Sequence, residues 1–187
     1  MNAVRLVRHR HIPIYRVIRR GWADPLDASS SQRRPDNRWN TSEFSALYCC
    51  CSQRVAVAVA NELFRLGSLT VEDLQPAFRP ALAELRWTGT LIDVVSTEGV
   101  IAAGFNAEYP QKTSKVQTQR AAARWHAHGT EGVVCRSASL SRMGLREWKG
   151  SHQRWGEVAI FPANARRKPA LLARRDDAEW LRPAAGG

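Results

Sequence analysis

Short apolar runs of strand length alternate with helical segments along most of the chain, and this alternation limits the fold more than any other feature. Strands are predicted at residues 13–19, 44–51, 81–87, 90–96, 132–136 and 157–161, and helices at 53–66 and 113–128, with a further helical segment around 71–76. A turn-rich stretch over 20–37 predicts a long loop, and such loops inside a compact domain are often functional. The pattern predicts an α+β fold, and 187 residues suffice for one core.

The chain is strongly basic, but its charge is unevenly distributed. It has 28 Lys and Arg against 17 Asp and Glu, a net charge of +11, and the segments 1–40, 41–108 and 109–187 carry +6, −4 and +9. Such a balance is typical of a protein with a phosphate-bearing or acidic partner, although a solvated basic surface accounts for it equally well. No run of five basic residues occurs and aromatic residues do not alternate with them, so direct nucleic-acid binding is not expected.

Several protein classes are excluded by missing motifs. No segment has the length and hydrophobicity of a membrane span or signal peptide, so a cytoplasmic location is expected. The cysteines are Cys49, Cys50, Cys51 and Cys135, which lack the paired spacing of a zinc site, so reduced thiols and no metal are predicted. The glycine-rich signatures of Rossmann and P-loop sites are absent, as is the Gly-x-Ser-x-Gly motif of α/β-hydrolases.

Glu62 stands out within the helix predicted at 53–66, for which Ser52 is a plausible N-cap. At 100° per residue, Val55, Val59, Glu62 and Leu66 fall on one stripe, so a carboxylate sits among aliphatic side chains. A carboxylate in such a place is costly unless it meets a cation or a ligand. Two interpretations remain open at this point: Glu62 points into a functional cleft, or it makes an ordinary structural ion pair.

Other residues that suit ligand binding precede this helix in a fixed order. They are Tyr15 and Arg16 on the first strand, Arg38, Trp39 and Asn40 at the end of the long loop, and Tyr48 on the next strand. Each one alone is a weak signal, because an arginine beside an aromatic residue is common and a strand tyrosine is usually part of the core.

Taken in this order, the residues resemble the RES domain, which is named for an Arg, a Glu and a Ser. The matching stretches are Ile14-Tyr15-Arg16-Val17, Asn37-Arg38-Trp39-Asn40, Ala46-Leu47-Tyr48, Asn61-Glu62, Thr90-Leu91-Ile92-Asp93 and 123–137. Asn37 stands where the family usually has Gly, a tolerable change because Asn adopts positive φ at little cost. The similarity spans roughly residues 13–162. The family Ser is matched by Ser137, with Ser139 and Ser141 as competitors.

The resemblance implies an ADP-ribosyltransferase-like domain in which two small β-sheets flank an NAD+ cleft. It also implies a bacterial toxin that cleaves NAD+ at the nicotinamide–ribose bond by hydrolysis or phosphorolysis, or that transfers ADP-ribose to a protein. An Xre-type, helix-turn-helix antitoxin would neutralise it, and a toxin homodimer would match the family. A non-enzymatic nucleic-acid binder is the alternative from another class.

The resemblance also assigns roles to individual residues. Glu62, Arg38 and Tyr48 are expected to be catalytic, with the carboxylate stabilising the positive charge that develops on the ribose as the glycosidic bond breaks. The residues expected to contact NAD+ are Tyr15, Arg16, Arg38, Trp39, Asn40, Tyr48 and Ser137. The arginines suit the pyrophosphate, Tyr48 suits the nicotinamide ring, and Ser137 suits its amide. Residues 13–165 would form the catalytic domain, after a basic lead-in at 1–12 and before a loosely held extension at 166–187.

Overall fold

The structure is a computed structural model that describes residues 4–10, 12–34, 37–65, 70–144, 148 and 152–181. Its strands are β1 (Leu6–His9), β2 (Ile14–Arg19), β3 (Leu47–Cys50), β4 (Pro80–Arg86), β5 (Gly89–Val94), β6 (Gly132–Arg136), β7 (Gly156–Ile160) and β8 (Ala170–Arg175). Its helices are α1 (Gln53–Arg65), α2 (Thr97–Ala102), α3 (Lys115–Ala127), α4 (Ala138–Arg142) and α5 (His152–Trp155). No helix among these residues is long and apolar enough to cross a membrane.

The strands form one eight-stranded sheet in the order β1-β5-β6-β7-β3-β2-β4-β8, and its pairs are antiparallel except β5 with β6. The α+β class is therefore confirmed, but the expected two small sheets are a single continuous one. The physical reason is the junction between β2 and β3, where Tyr15 pairs with Cys50 and joins the two halves. That junction rests on one registered pair, whereas β2 pairs with β4 over six.

The two faces of the sheet have different covers. On one face, which we call the helix face, α1 packs over β2 and β3, and α3 packs over β5 and β6. The opposite face, called the loop face, carries Ile14, Ile18 and Leu47 and is covered by the loop that follows β2, through Trp22 and Leu26. Because side chains alternate along a strand, neighbouring residues of the same strand serve different layers.

The helices begin where the sequence indicated. The Ser52 hydroxyl accepts a hydrogen bond from the Val55 amide at 3.4 Å just before α1, as its N-cap position predicts. Ser114 and Gln117 form a capping box at the start of α3. Leu66, the last residue of the predicted apolar stripe, lies outside the described residues, and the helical segment expected around 71–76 is a single 3-10 turn at Pro76–Phe78.

Both ends of the predicted domain need correction. The lead-in at 1–12 contains β1, which pairs with β5 over four residues, and the extension at 166–187 contains β8, which pairs with β4. Beyond β8, Trp180 is only 2% exposed and packs in the cluster formed by α1 and α4. These segments belong to the domain because the two edge strands and the buried indole contact the rest of it. Their largely polar sequences do not indicate these contacts. Residues 1–3, 11 and 182–187 lie outside the described part.

One buried histidine, His9, and one half-buried histidine, His152, make the fold sensitive to acid. His9 is fully buried beside Trp87 and His152; its Nε2 bonds the Ile12 carbonyl oxygen and its Nδ1 has no partner among the described residues. Burial lowers the pKa of His9 and of His152 below the ordinary value of 6.5, and the proximity of His9 lowers the pKa of His152 further. The unfolded chain therefore binds more protons than the folded one as the pH falls through about 6.5, and stability decreases.

We expect the free energy of unfolding to be lower at pH 5.5 than at pH 7.5, by about 1 kcal/mol for each histidine that stays neutral in the fold. Urea unfolding at the two pH values measures it. His9→Gln, which keeps a side-chain donor for the Ile12 carbonyl, should reduce this difference, whereas replacing the exposed His128 by Gln should not. A pH dependence that His9→Gln and His128→Gln leave equally intact would contradict the assignment.

Candidate active site

A row of side chains crosses the middle of the helix face. Strand register pairs Tyr15 with Cys50, Cys50 with Glu157, and Glu157 with Cys135, across β2, β3, β7 and β6. Directly paired residues project on the same side of a sheet. Glu157 is thus a carboxylate placed between two small thiols, in the strip of sheet between α1 and α3.

Tyr48 lies next to this row and is fixed by the loop before β3. Its hydroxyl donates to Asn40 Oδ1 at 2.8 Å and accepts from the Trp39 amide at 2.9 Å, so both functions of the hydroxyl are used. Burial raises the pKa of Tyr48 well above its usual value. The side chain is therefore a neutral ring held in one orientation, not a proton acceptor at neutral pH.

Trp39 and Asn40 were expected to contact NAD+, but the structure gives them another role. They are 2% and 1% exposed; the Trp39 indole N–H donates to Cys135 Sγ at 3.2 Å, and Asn40 also donates to the Ser31 carbonyl. The Trp39 ring packs against Trp125 with centroids 5.8 Å apart. Both residues are core groups that fix Tyr48, which corrects their assignment as ligand surface.

Arg38, next in the chain to Trp39, lies close to the central row. Burial lowers the pKa of Arg38, but the neighbouring Tyr109, Cys135 and Glu157 outweigh it, so the pKa is raised overall. Burial also raises the pKa of Tyr109, and raises that of Cys135 to about 12, so these two groups are neutral near pH 7. Arg38 and these three neighbours, Tyr109, Cys135 and Glu157, form a polar centre on the helix face.

Ser137 links this centre to α4. Its hydroxyl donates to Glu157 Oε1 at 2.6 Å and accepts from the Leu140 amide at 3.2 Å as the N-cap of α4. Ser139 and Ser141 lie within α4, beyond that cap. The structure therefore brings Ser137, of the three candidate serines, to the Glu157 carboxylate. Ser137 is also 0% exposed, so its expected contact with the nicotinamide amide is corrected on the same ground as those of Trp39 and Asn40.

Glu62 reaches the other end of α4. The Arg142 Nε lies 3.0 Å from Glu62 Oε1, and the two side chains are 44% and 15% exposed. The cation that Glu62 meets is Arg142, and this contact is compatible with both interpretations of Glu62, a functional cleft and a structural ion pair. Arg142 lies 80 residues from Glu62 along the chain, so no local pattern indicates this partner. Because α4 carries Ser137 before its first turn and Arg142 in its last, it connects the two carboxylates of the site.

Arg16 does not join this arrangement. Because it follows Tyr15 on β2, it projects to the loop face, where its guanidinium donates to the carbonyls of Pro25 and Asp27 and lies over Trp22, 5.3 Å from the ring centroid. Arg16 is 6% exposed, and burial lowers its pKa. The expectation that Arg16 contacts the pyrophosphate of NAD+ is corrected by strand alternation, and Arg16 instead holds the long loop in place.

Sequence reasoning missed Glu157 and Tyr109 as well as Arg142. The sequence around Glu157 could have indicated it, because it is the one charged residue in the apolar run 156–161. Side chains alternate along a strand, so Glu157 lies on the opposite face from Val158 and Ile160. No such pattern surrounds Tyr109, since it lies in an irregular stretch between α2 and α3.

An open depression elsewhere on the surface lacks the chemistry of this site. It has a volume of about 490 Å³ and lies against α2 and α3, and its lining includes Phe105, Arg120 and Arg124 but no carboxylate. Among the described residues, no group of three or more His, Cys, Asp or Glu side chains is arranged to hold a metal ion.

Comparison with known proteins shows the family of the chain and a solved structure with a similar fold. The family model of the RES domain matches residues 13–181, and the chain belongs to this family. Its fold is similar to a solved structure, the MbcT–MbcA toxin-antitoxin complex of M. tuberculosis, with a TM-score of 0.68 and 15% identity over 87% of this chain and 82% of that one. No curated protein matches the chain.

The position of Tyr48 can be tested through stability. Tyr48→Phe leaves Asn40 Oδ1 and the Trp39 amide without their shared partner, so we expect a loss of about 1–3 kcal/mol in the free energy of unfolding, measured by urea denaturation. Tyr15→Phe is the matched control, since the Tyr15 hydroxyl makes no hydrogen bond among the described residues, and it should change stability less. Equal losses in both variants would argue against the proposed anchoring of Tyr48.

Proposed function

We propose that the protein is an enzyme that cleaves NAD+ at the nicotinamide–ribose bond and acts as the toxin of a toxin–antitoxin pair. The observation that carries the proposal is the placement of Glu62, a mostly buried carboxylate on α1, which Arg142 holds at one end of α4. At the other end of α4, Ser137 bonds Glu157, and Glu157 is a neighbour of Arg38. Membership of the RES family supports the same conclusion.

The chemistry of glycosidic cleavage explains why such a carboxylate is needed. As nicotinamide leaves, positive charge develops on the ribose carbon and ring oxygen, and a fixed anion lowers the energy of that state. Glu62 supplies the anion, and its apolar neighbours Val55 and Val59 reduce the water that would otherwise screen it. Arg142 is the more exposed partner, so it can turn aside when ribose hydroxyls approach the carboxylate.

The other residues of the site bind and orient the substrate. Arg38 presents a planar set of donors suited to the pyrophosphate. The ring of Tyr48 stacks on the nicotinamide. The hydroxyl takes no part in this contact, because it is hydrogen-bonded to Trp39 and Asn40. Tyr15, in the same row of the helix face, lines the same strip of sheet.

An antitoxin is the expected protein partner. The similar solved structure is a toxin bound to its antitoxin, and an inhibitor that covers the strip between α1 and α3 would block Glu62, Arg38 and Ser137 together. An Xre-type antitoxin and a toxin homodimer remain predictions from the resemblance. The exposed arginines of the basic flanks offer a surface for an acidic partner.

Replacing the proposed catalytic carboxylate provides the test. Glu62→Gln keeps the size of the side chain and removes its charge, so we expect NAD+ consumption by purified protein to fall by about 100-fold or more. Glu108→Gln is the control, because it also removes an ion pair, the one with Lys112, at an exposed place outside the site. Chromatography of NAD+ and its products measures both.

The products decide between the forms of the reaction. With NAD+ labelled in its adenylate half, free ADP-ribose indicates hydrolysis, a phosphorylated ADP-ribose formed only with phosphate indicates phosphorolysis, and label retained on a protein indicates transfer. NAD+ left intact by folded wild-type protein, with and without phosphate and with a cell extract as source of acceptor, would refute the proposed activity.

A further inference from the structure

A second, smaller depression lies at the end of the sheet opposite the candidate active site. It has a volume of about 260 Å³, and its lining residues are Arg8, Thr88, Gly89, Thr90, Glu131, Arg166 and Arg167. Glu131 comes directly before β6 and Ser137 directly after it, so about 20 Å of strand separates the depression from Ser137. The depression is therefore distinct from the site described above.

Its three arginines come from segments that are far apart along the chain. Arg8 lies on β1 opposite Thr90 of β5, so the two side chains project on the same side of the sheet. Arg166 and Arg167 follow β7 in the loop that leads to β8. All three arginines are exposed, and none of their guanidinium groups forms a hydrogen bond or an ion pair within the part of the chain that the structure describes.

The positions of Arg166 and Arg167 are fixed through their backbones. Glu131 is 8% exposed, and its carboxylate accepts hydrogen bonds from the Arg166 amide at 3.0 Å and the Thr90 amide at 2.8 Å. The Trp87 indole N–H donates to the Arg167 carbonyl oxygen at 2.8 Å. These contacts hold the lining in place before a ligand arrives and leave both guanidinium groups available to it.

The charge and the size of the depression define the ligand that it suits. Three positive charges around one depression repel one another, and a bound dianion removes this repulsion. Guanidinium groups suit the oxygen atoms of phosphate, and the Thr88 and Thr90 hydroxyls, which make no hydrogen bond among the described residues, add two donors. A volume of about 260 Å³ is below the range of about 300–1,000 Å³ typical of drug-sized ligands, so it suits a phosphate group with few further atoms.

We propose that this depression binds a phosphate group, either inorganic phosphate or the phosphate of a small monoester, through the three guanidinium groups and the two threonine hydroxyls. The proposal does not depend on the proposed function, because the lining contains none of the residues of the candidate active site.

A titration that is specific for this place tests the proposal. The amide signals of Thr90 and Arg166 in nitrogen–proton NMR spectra report the depression separately from any anion bound at the candidate active site. Inorganic phosphate, glycerol 3-phosphate and succinate are the probes, each titrated at constant ionic strength. We expect saturable shifts with a phosphate compound, and binding of succinate, which has no tetrahedral oxyanion, that is weaker by about 10-fold or more. The tighter of the two phosphate compounds identifies free phosphate or a monoester as the ligand.

Variants separate a defined site from general attraction to a basic surface. Arg8→Gln and Arg167→Gln each remove one charge, and we expect either to weaken phosphate binding by about 10-fold or more. Arg33→Gln is the matched control, because it removes an exposed arginine outside the depression, and it should change the affinity by no more than about 2-fold. Thr90→Val keeps every charge and removes one hydroxyl, so we expect binding to weaken by about 3- to 10-fold.

The contradicting outcomes are equally specific. Equal losses in Arg8→Gln, Arg167→Gln and Arg33→Gln, or succinate that binds as tightly as phosphate, overturn the proposal, because a diffuse basic surface then attracts any anion. Phosphate that shifts neither amide signal of the folded wild-type protein also overturns it. Cleavage of NAD+ is measured separately, so failure of this proposal leaves the proposed function standing.

Discussion

The site depends on one short hydrogen bond, from the Ser137 hydroxyl to the Glu157 carboxylate. It joins the central strand β7 to the start of α4, and the same hydroxyl caps that helix. The other end of α4 reaches Glu62 through Arg142. Five residues of helix span about 7.5 Å, so this element sets the separation between the two acidic parts of the site.

The sheet makes this arrangement possible by sorting side chains between its faces. Glu157, Cys50 and Cys135 share the helix face because they are paired in register, and the small thiols leave room beside the carboxylate. Tyr15 joins the same row through the single pair that unites the two halves of the sheet. Arg16, one residue later, projects to the other face and binds the loop instead. A one-residue change of register would reverse these placements.

Local sequence predicted some features of the fold and the site and missed others. The start of α1 followed from Ser52. A partner for Glu62, either a cation or a ligand, was expected because a carboxylate in an apolar stripe is costly alone. The identity of that partner was not, since Arg142 lies far away along the chain. The burial of Trp39 and Asn40 also depends on long-range contacts, with Cys135 for the indole. Likewise, β8 and Trp180 lie in a segment with a largely polar sequence. Their place in the domain follows from contacts with β4 and α1, which are distant along the chain.

The proposed function requires that the strip of sheet between α1 and α3 binds the nicotinamide end of NAD+. A crystal structure with a carbocyclic NAD+ analogue, which has no glycosidic bond to cleave, shows whether it does. We predict the carbocyclic ring beside Glu62, the pyrophosphate at Arg38 and the nicotinamide ring against Tyr48. An analogue bound elsewhere, such as in the depression beside Phe105 and Arg120, would contradict it.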